Sequence, residues 1–364
     1  MEDLYAVCSP GLESFTAREL RALGPDCAAP AFGSGGVAFQ GSLQDLYRAN
    51  LHLRTAERVL IGLGEFRATK FPELQRKAAS LPWERFLKPG AAVVWHVDCR
   101  GSRLYHERAV AERLAQAVER PAARDADAAQ PVFVRLLDDV CRISLDSSGE
   151  PLHKRGYRLA TAKAPLRETL ACALLMDSGW KPGAPLLDPF CGSGTIPIEA
   201  ALAASNTPPG LLRDFAFMGW PGFDRAAWDR LKEQARARIA PADPGIRASD
   251  RDAGAVRAAR SNSERAGVAG CIELSCRAVS AIEPPPGPGW VVSNPPYGVR
   301  VRGGRDLRDL YAQLGKVLRS RCPGWRFTLL CQDVLLPNGA GLKPDRELPM
   351  MNGGLRVKAV SGPV

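Results

Sequence analysis

The stretch Asp188-Pro189-Phe190-Cys191-Gly192-Ser193-Gly194-Thr195 decides the fold. A short apolar run, Pro185-Leu186-Leu187, leads into it, and a helix-forming run, Ile196-Pro197-Ile198-Glu199-Ala200-Ala201-Leu202, leads out. It therefore reads as a strand, a tight glycine loop and a helix start. Gly192 and Gly194 supply backbone angles closed to other residues and let a ligand lie against the main chain. The helix start offers free N–H groups. A dinucleotide fingerprint needs glycine at a third position, G-x-G-x-x-G, and Pro197 stands there, which argues against NAD. Asp188 ends the first strand, and Asp250 ends the next in Arg247-Ala248-Ser249-Asp250, followed by Arg251 and Asp252. Two carboxylates at neighbouring strand ends beside a glycine loop suit S-adenosylmethionine, which offers an ammonium group and a ribose diol. Asp250 is the expected partner of the ribose hydroxyls, as an acid is in dinucleotide sites.

A second string, Asn294-Pro295-Pro296-Tyr297, follows the apolar run Trp290-Val291-Val292. The exocyclic amine of a nucleobase is a poor nucleophile because its lone pair is delocalised. The Asn294 side-chain oxygen and the Pro295 carbonyl can accept its N–H groups and turn that lone pair toward a methyl donor. Two prolines fix the carbonyls, and Tyr297 can stack on the base. The same four residues occur in adenine methylases of DNA, in guanine-N2 enzymes of RNA and in protein glutamine methyltransferases, so the string gives the chemistry and not the substrate. Transfer is expected in line, with no covalent enzyme intermediate, on a base that is single-stranded or flipped.

From Leu186 onward, strands near Leu186–Asp188, Ile246–Ser249, Ile272–Cys276, Val291–Asn294 and Phe327–Cys331 alternate with helices near Thr195–Ala203, Arg225–Ile239, Ala253–Ala266 and Leu307–Arg319. Such alternation predicts an α/β fold with a doubly wound, mostly parallel Rossmann-like sheet. Asn352-Gly353-Gly354 between two extended runs predicts a terminal antiparallel hairpin. The N-terminal half reads as α+β: strand, helix, strand, helix to about Asn50, a buried strand at Val59–Phe66, a helix from Phe71, a strand at Ala91–Val97, a helix near Tyr105–Glu119, and a hairpin around Asp138-Asp139.

The 364 residues imply more than one domain. No apolar run is long enough to cross a bilayer. The acidic start, Met1-Glu2-Asp3-Leu4, lacks the features of a secretory signal, so a cytoplasmic location is expected. Ten Cys without a C-x-x-C pair, and four His without H-E-x-x-H spacing, argue against a metal site. The net charge is +10, in a chain where Arg outnumbers Lys. Genome composition alone can cause that total, so only clustering speaks for a partner. Lys154, Arg155, Arg158, Lys163 and Arg167 occur between Leu152 and Arg167 with no acid, which suits a polyanion. Arg300 and Arg302 continue the amine string with more positive charge.

Leu81-Pro82-Trp83-Glu84-Arg85-Phe86-Leu87, the following strand, and Ser102-Arg103-Leu104-Tyr105-His106 before a helix resemble the THUMP domain of RNA-modifying enzymes. The unit before it resembles the ferredoxin-like domain that accompanies THUMP. Leu152-His153-Lys154-Arg155-Gly156-Tyr157-Arg158, with Ala164-Pro165-Leu166-Arg167-Glu168-Thr169-Leu170-Ala171, resembles the junction to the catalytic domain in bacterial guanine-N2 RNA methyltransferases. Pro208-Pro209-Gly210-Leu211-Leu212-Arg213-Asp214-Phe215-Ala216-Phe217-Met218-Gly219-Trp220 is similar to that family too. The resemblance implies a ferredoxin-like domain at 1–58, a THUMP domain at 59–150, a basic linker at 151–165 and a class I methyltransferase domain at 166–364. It implies methylation of guanine N2 in 23S rRNA, with tRNA as the alternative, and a monomer that meets RNA through THUMP and Lys154, Arg155, Arg158, Arg300 and Arg302. Pro165, Glu168 and Thr169 are expected at the methionine end of the cofactor, beside Phe190, Cys191, Ser193 and Thr195, with Asn294 also near it. The family carries an acid near the adenine amine, but Ala278 stands at that position, so backbone around Val279 is expected to hold adenine. A DNA adenine-N6 methylase is disfavoured by the THUMP-like unit and the junction. An RNA-binding protein with an inactive methylase domain is disfavoured by Gly192 and Asn294.

Overall fold

The computed structural model describes residues 1–25, 34–119, 129–159, 166–241, 245–297 and 304–364. Its first half is built on a six-stranded sheet. The elements are β1 (Glu2–Cys8), α1 (Glu13–Leu23), β2 (Gly36–Gly41), α2 (Leu43–His52), β3 (Ala56–Arg67), α3 (Phe71–Ala79), β4 (Val93–Arg100), α4 (Glu107–Val118), β5 (Gln130–Leu137) and β6 (Val140–Asp146). The strand order is β2-β1-β3-β6-β5-β4. β4 and β5 run parallel, and the hairpin of β5 and β6 turns at Asp138 and Asp139, both with positive φ (50° and 66°). Asp tolerates that left-handed turn, which matches the strand twist. α2 opens with a capping box between Ser42 and Asp45.

β3 pairs with β1 on one side and β6 on the other. The units read from sequence on either side of residue 58 thus share one continuous sheet. Alternation sorts its two faces. Leu4, Ala6, Val59, Ile61, Val132, Val134 and Ile143 are buried together with Leu20, Leu46, Leu74 and Leu114 of α1–α4. On the other face Phe133 is half-buried, and Arg135 and Arg142 are exposed.

The second half has α5 (Glu168–Ser178), β7 (Leu186–Asp188), α6 (Thr195–Ala204), α7 (Arg225–Ala237), β8 (Ile246–Asp250), α8 (Ala253–Arg265), β9 (Ile272–Cys276), β10 (Trp290–Ser293), α9 (Gly304–Arg321), β11 (Arg326–Cys331), α10 (Leu335–Gly339), β12 (Arg346–Asn352) and β13 (Leu355–Pro363). The order β12-β13-β11-β10-β7-β8-β9 has a parallel run from β11 to β9 and an antiparallel hairpin on the β11 edge. This is the doubly wound fold with terminal hairpin that the alternation predicts; α10 lies outside that prediction. Gly353 and Gly354, with φ of 57° and 84°, make the hairpin turn. α5 and α6 are apolar on all sides and buried almost throughout, as core helices are.

The segment between α6 and β8 leaves this sheet for the other half. Phe215, Phe217, Trp220 and Trp228 join the core of the N-terminal sheet. Phe217 stacks on Tyr47 of α2 at 4.5 Å, and Trp228 meets Phe217 edge-on at 5.3 Å. Gly210 N–H donates to Leu51 O, and the Trp220 indole donates to Gln130. The aromatic payload explains why this contact holds the halves together.

Candidate active site

The strand order reverses between β7 and β10, and ligands of open α/β sheets bind at the carboxyl ends of the strands at such a point. Asp188 ends β7, and Ser293 ends β10. The Ser293 hydroxyl donates to Asp188 Oδ1 at 2.6 Å, tying the glycine loop to the Asn294-Pro295-Pro296-Tyr297 string across about a hundred residues of sequence. Sequence reasoning did not single out Ser293; its place next to Asn294 at a strand end was the available signal.

The glycine loop is held from three sides. Gly192 N–H donates to Asp250 Oδ2 at 3.0 Å, Cys191 N–H donates to Ser249 O at 3.0 Å, and the Asn262 side-chain amide donates to Ser193 O at 3.0 Å. Asn262 of α8 is a second support that the sequence did not disclose. Gly192 and Gly194 adopt φ of 53° and 89°. A Cβ at Gly194 would press on Ala259 at 3.0 Å, so that glycine lets α8 close on the loop. A Cβ at Gly192 would meet nothing within 4 Å, so open space lies over the main chain there. That space, beside two strand-end carboxylates, fits a small ligand of the expected kind.

The roles of the acids differ. Asp188 is 1% exposed, and burial pushes its carboxyl up to about 7, with Ser293 and the Phe190 N–H partly opposing. Asp250 is half-buried, and Oδ1 accepts the Asp252 N–H at 2.9 Å. Asp252 itself caps α8, accepting from Gly254 and Ala255. Arg251 is exposed. Burial also raises the Cys191 thiol well above its ordinary range, so it stays protonated and inert. A carboxyl raised on folding stabilises the fold while protonated. Its contribution is complete below about pH 4, the unfolded value, and is lost as pH rises through about 7. Asp188→Asn is therefore expected to gain stability relative to wild type as pH rises across that window. Thermal melts of both proteins over the same pH series measure it; a constant difference would show that Asp188 is not raised.

At the second string, Pro295 is buried and Pro296 exposed. Asn294 is half-buried, and its Oδ1 is buried with no hydrogen-bond partner among the described residues. A buried amide oxygen without a partner is costly, and a ligand N–H would relieve it. The Tyr297 hydroxyl accepts the Asn352 amide at 2.8 Å, so the terminal hairpin steadies the ring. Ala278 is exposed just past β9, and buried Val279 opens a short 3₁₀ turn. The nearby acid, Glu283, is paired with Arg277 at 2.6 Å.

The basic junction is rewired relative to expectation. Arg155 is 2% exposed, 3.5 Å from buried Glu199, and donates to Leu152 O and Arg54 O. Glu199 also accepts the Tyr157 hydroxyl at 3.0 Å. Arg158 donates to Thr195 Oγ1 at 2.6 Å and Leu166 O at 2.8 Å, and pairs with Glu168 at 3.1 Å. These two arginines were expected on RNA phosphates. They instead fasten the junction to α5 and α6, because carboxylates from those helices meet them in the interior. Glu168 is 2% exposed, and its Oε2 has no hydrogen-bond partner among the described residues, whereas the Thr169 hydroxyl donates to Glu57 of β3. Lys154 remains exposed. Pro165, Lys163, Arg300 and Arg302 lie outside the described residues.

Among the described residues no helix is long and apolar enough to cross a membrane. Residues 155–360 match the family described as UPF0020, RMKL-like methyltransferase domain, and residues 3–60 match the RlmL ferredoxin-like domain. A Synechocystis sp. protein, slr0064, provisionally named an RNA methyltransferase, is 36% identical, with 96% of this chain and 94% of its own length covered. The crystal structure of SMU.472, a protein assigned as a methyltransferase and complexed with SAH, superposes with a TM-score of 0.89 at 31% identity, covering 99% of this chain and 97% of that one. A Listeria monocytogenes protein named as a predicted N6-adenine-specific DNA methylase gives 0.85 at 33% identity, covering 99% and 95%. With a matched domain that spans over half its length and a relative alike along nearly all of it, the chain belongs to the UPF0020 family of RMKL-like methyltransferase domains.

Proposed function

We propose that the protein methylates the exocyclic N2 of a guanine in 23S rRNA, using S-adenosylmethionine. The observation that carries the amine chemistry of this reading is the buried Asn294 Oδ1 just past β10, which has no hydrogen-bond partner among the described residues and lies one residue from the Ser293 bond to Asp188. The cofactor, when bound, supplies an electrophilic methyl group on a sulfonium. Asp250, which holds the glycine loop through Gly192, takes the ribose hydroxyls in this reading. The Oε2 of Glu168, buried and without a partner among the described residues, suits an ammonium group. Asn294 Oδ1 and the Pro295 carbonyl accept the N–H groups of the target amine and orient its lone pair, and Tyr297 stacks on the base. Fixed acceptors of this kind act through positioning, without a covalent intermediate. The RNA assignment is supported by the Synechocystis relative, and residues 59–150 are proposed as a THUMP-type RNA-binding unit ahead of the 166–364 catalytic domain.

The Listeria relative's name favours a second reading, methylation of adenine N6 in DNA, which the same acceptor set would serve. Mass spectrometry of nucleosides from a strain lacking the gene separates them. The expected result is loss of N2-methylguanosine from rRNA. Loss from tRNA alone moves the substrate, and loss of N6-methyladenine from DNA overturns the RNA reading. Unchanged nucleosides in all pools, with no SAH binding in calorimetry, would mean an inactive domain.

A further inference from the structure

Arg155 and Arg158 are sequestered on carboxylates, so an RNA substrate, which needs phosphate contacts, has to find them on other cations. The open face of the N-terminal sheet carries a concavity of about 960 Å³, whose lining includes no residue of the glycine loop. Tyr5 of β1, Leu60 of β3, Phe133 and Arg135 of β5 and His96 of β4 line it. That volume lies within the range of ligand clefts.

Its chemistry is a stacking column with one open end. His96 and Phe133 are direct cross-strand neighbours, and their rings stack with centroids 4.8 Å apart and planes at 20°. Arg58 lies 5.8 Å from the Phe133 centroid. The column thus runs Arg58, Phe133, His96, and β4 is the last strand of the sheet, so the outer face of exposed His96 has no further strand beside it. Partial desolvation against the sheet and the Arg58 charge hold the His96 imidazole below its ordinary range, which keeps it a neutral ring near pH 7. Every nucleobase has a π-face that such a ring can extend.

A phosphate-binding cation stands beside the column. Arg135 sits opposite Arg142 in register, and like charges directly opposed are unfavourable. Arg142 is neutralised by Glu65. Asp98, the other cross-strand neighbour of Arg135, is engaged by Arg100 at 3.2 Å. Arg135 is exposed and has no ion-pair partner among the described residues. We propose that this face binds unpaired RNA, with one nucleobase stacked on the outer face of His96 and the adjoining phosphate on Arg135. The proposal rests on the RNA reading of the catalytic site.

The test uses the full chain and a fluorescein-labelled single-stranded RNA of roughly 12 nucleotides, of a length suited to one single-strand-binding fold. Anisotropy is followed across a salt series, with SAH calorimetry as control. His96→Ala is expected to weaken RNA binding about tenfold, the loss of one base–aromatic stack, and His96→Phe to restore it. Arg135→Glu is expected to weaken binding and lower the salt slope by about one. SAH affinity stays unchanged in all three. Wild-type binding with both His96→Ala and Arg135→Glu silent overturns the groove while leaving the RNA reading intact. His96→Phe as weak as His96→Ala overturns the stack, and equal affinity for the matching duplex overturns the preference for unpaired RNA. No wild-type binding to any RNA overturns the RNA reading and the groove with it.

Discussion

Asn294→Ala lowers the rate of methyl transfer by about a thousandfold and leaves SAH affinity within about twofold. The scale is that of removing one preorganised polar group aimed at the reacting atoms. The reasoning is local. Asn294 Oδ1 is buried and has no partner among the described residues, so a donor arriving there meets an unsatisfied acceptor. Ser293, one residue earlier, is fixed to Asp188, so the strand end cannot drift when the Asn294 side chain is cut back. Single-turnover transfer from radiolabelled S-adenosylmethionine, alongside calorimetry with SAH, measures both quantities. Retained turnover would remove Asn294 from the acceptor site. A parallel loss of SAH affinity would move it to the cofactor pocket.

Glu199→Ala destabilises the protein by about 3–5 kcal/mol, because it strands a buried cation. Arg155 lies inside with its guanidinium 3.5 Å from Glu199, and the Tyr157 hydroxyl and Cys172 thiol lean on the same carboxylate at 3.0 Å each. Replacing both members, Arg155→Met with Glu199→Met, recovers most of that loss, since neither charge is then left uncompensated. Urea unfolding followed by tryptophan fluorescence compares the proteins. In the double variant the salt slope of RNA binding stays at the wild-type value. A falling slope would return Arg155 to the phosphate-contact role that its sequence neighbourhood suggests.

The glycine loop, the strand ends Asp188 and Asp250, and the Asn294 string were legible because their meaning is local. A strand, a turn with positive φ and a helix start follow from adjacent residues, and alternation then orders the parallel sheet. Arg155 and Arg158 were misread for the opposite reason. Five basic residues without an acid look solvent-facing in a linear string. The acid that takes Arg155 lies 44 residues on, on a helix whose own sequence is otherwise apolar (199 − 155). The continuity of β1, β3 and β6 in one sheet was hidden likewise, since edge pairing between non-adjacent strands leaves no periodic trace in either. The His96–Phe133 stack depends on register between strands separated by a helix, which spacing alone does not give.

The aromatic segment between α6 and β8 has a consequence for the order of events at the ribosome. Chains emerge from the N-terminus and their units generally fold as they appear. Here the first 146 residues complete a six-stranded sheet, yet Phe217, Trp220 and Trp228, which finish its core, are still to be made. The nascent sheet therefore stays open on that side until α7 has left the exit tunnel, by which time the glycine loop has also emerged. The two halves reach their final form together during synthesis, and cutting the chain between them leaves the first half without part of its interior.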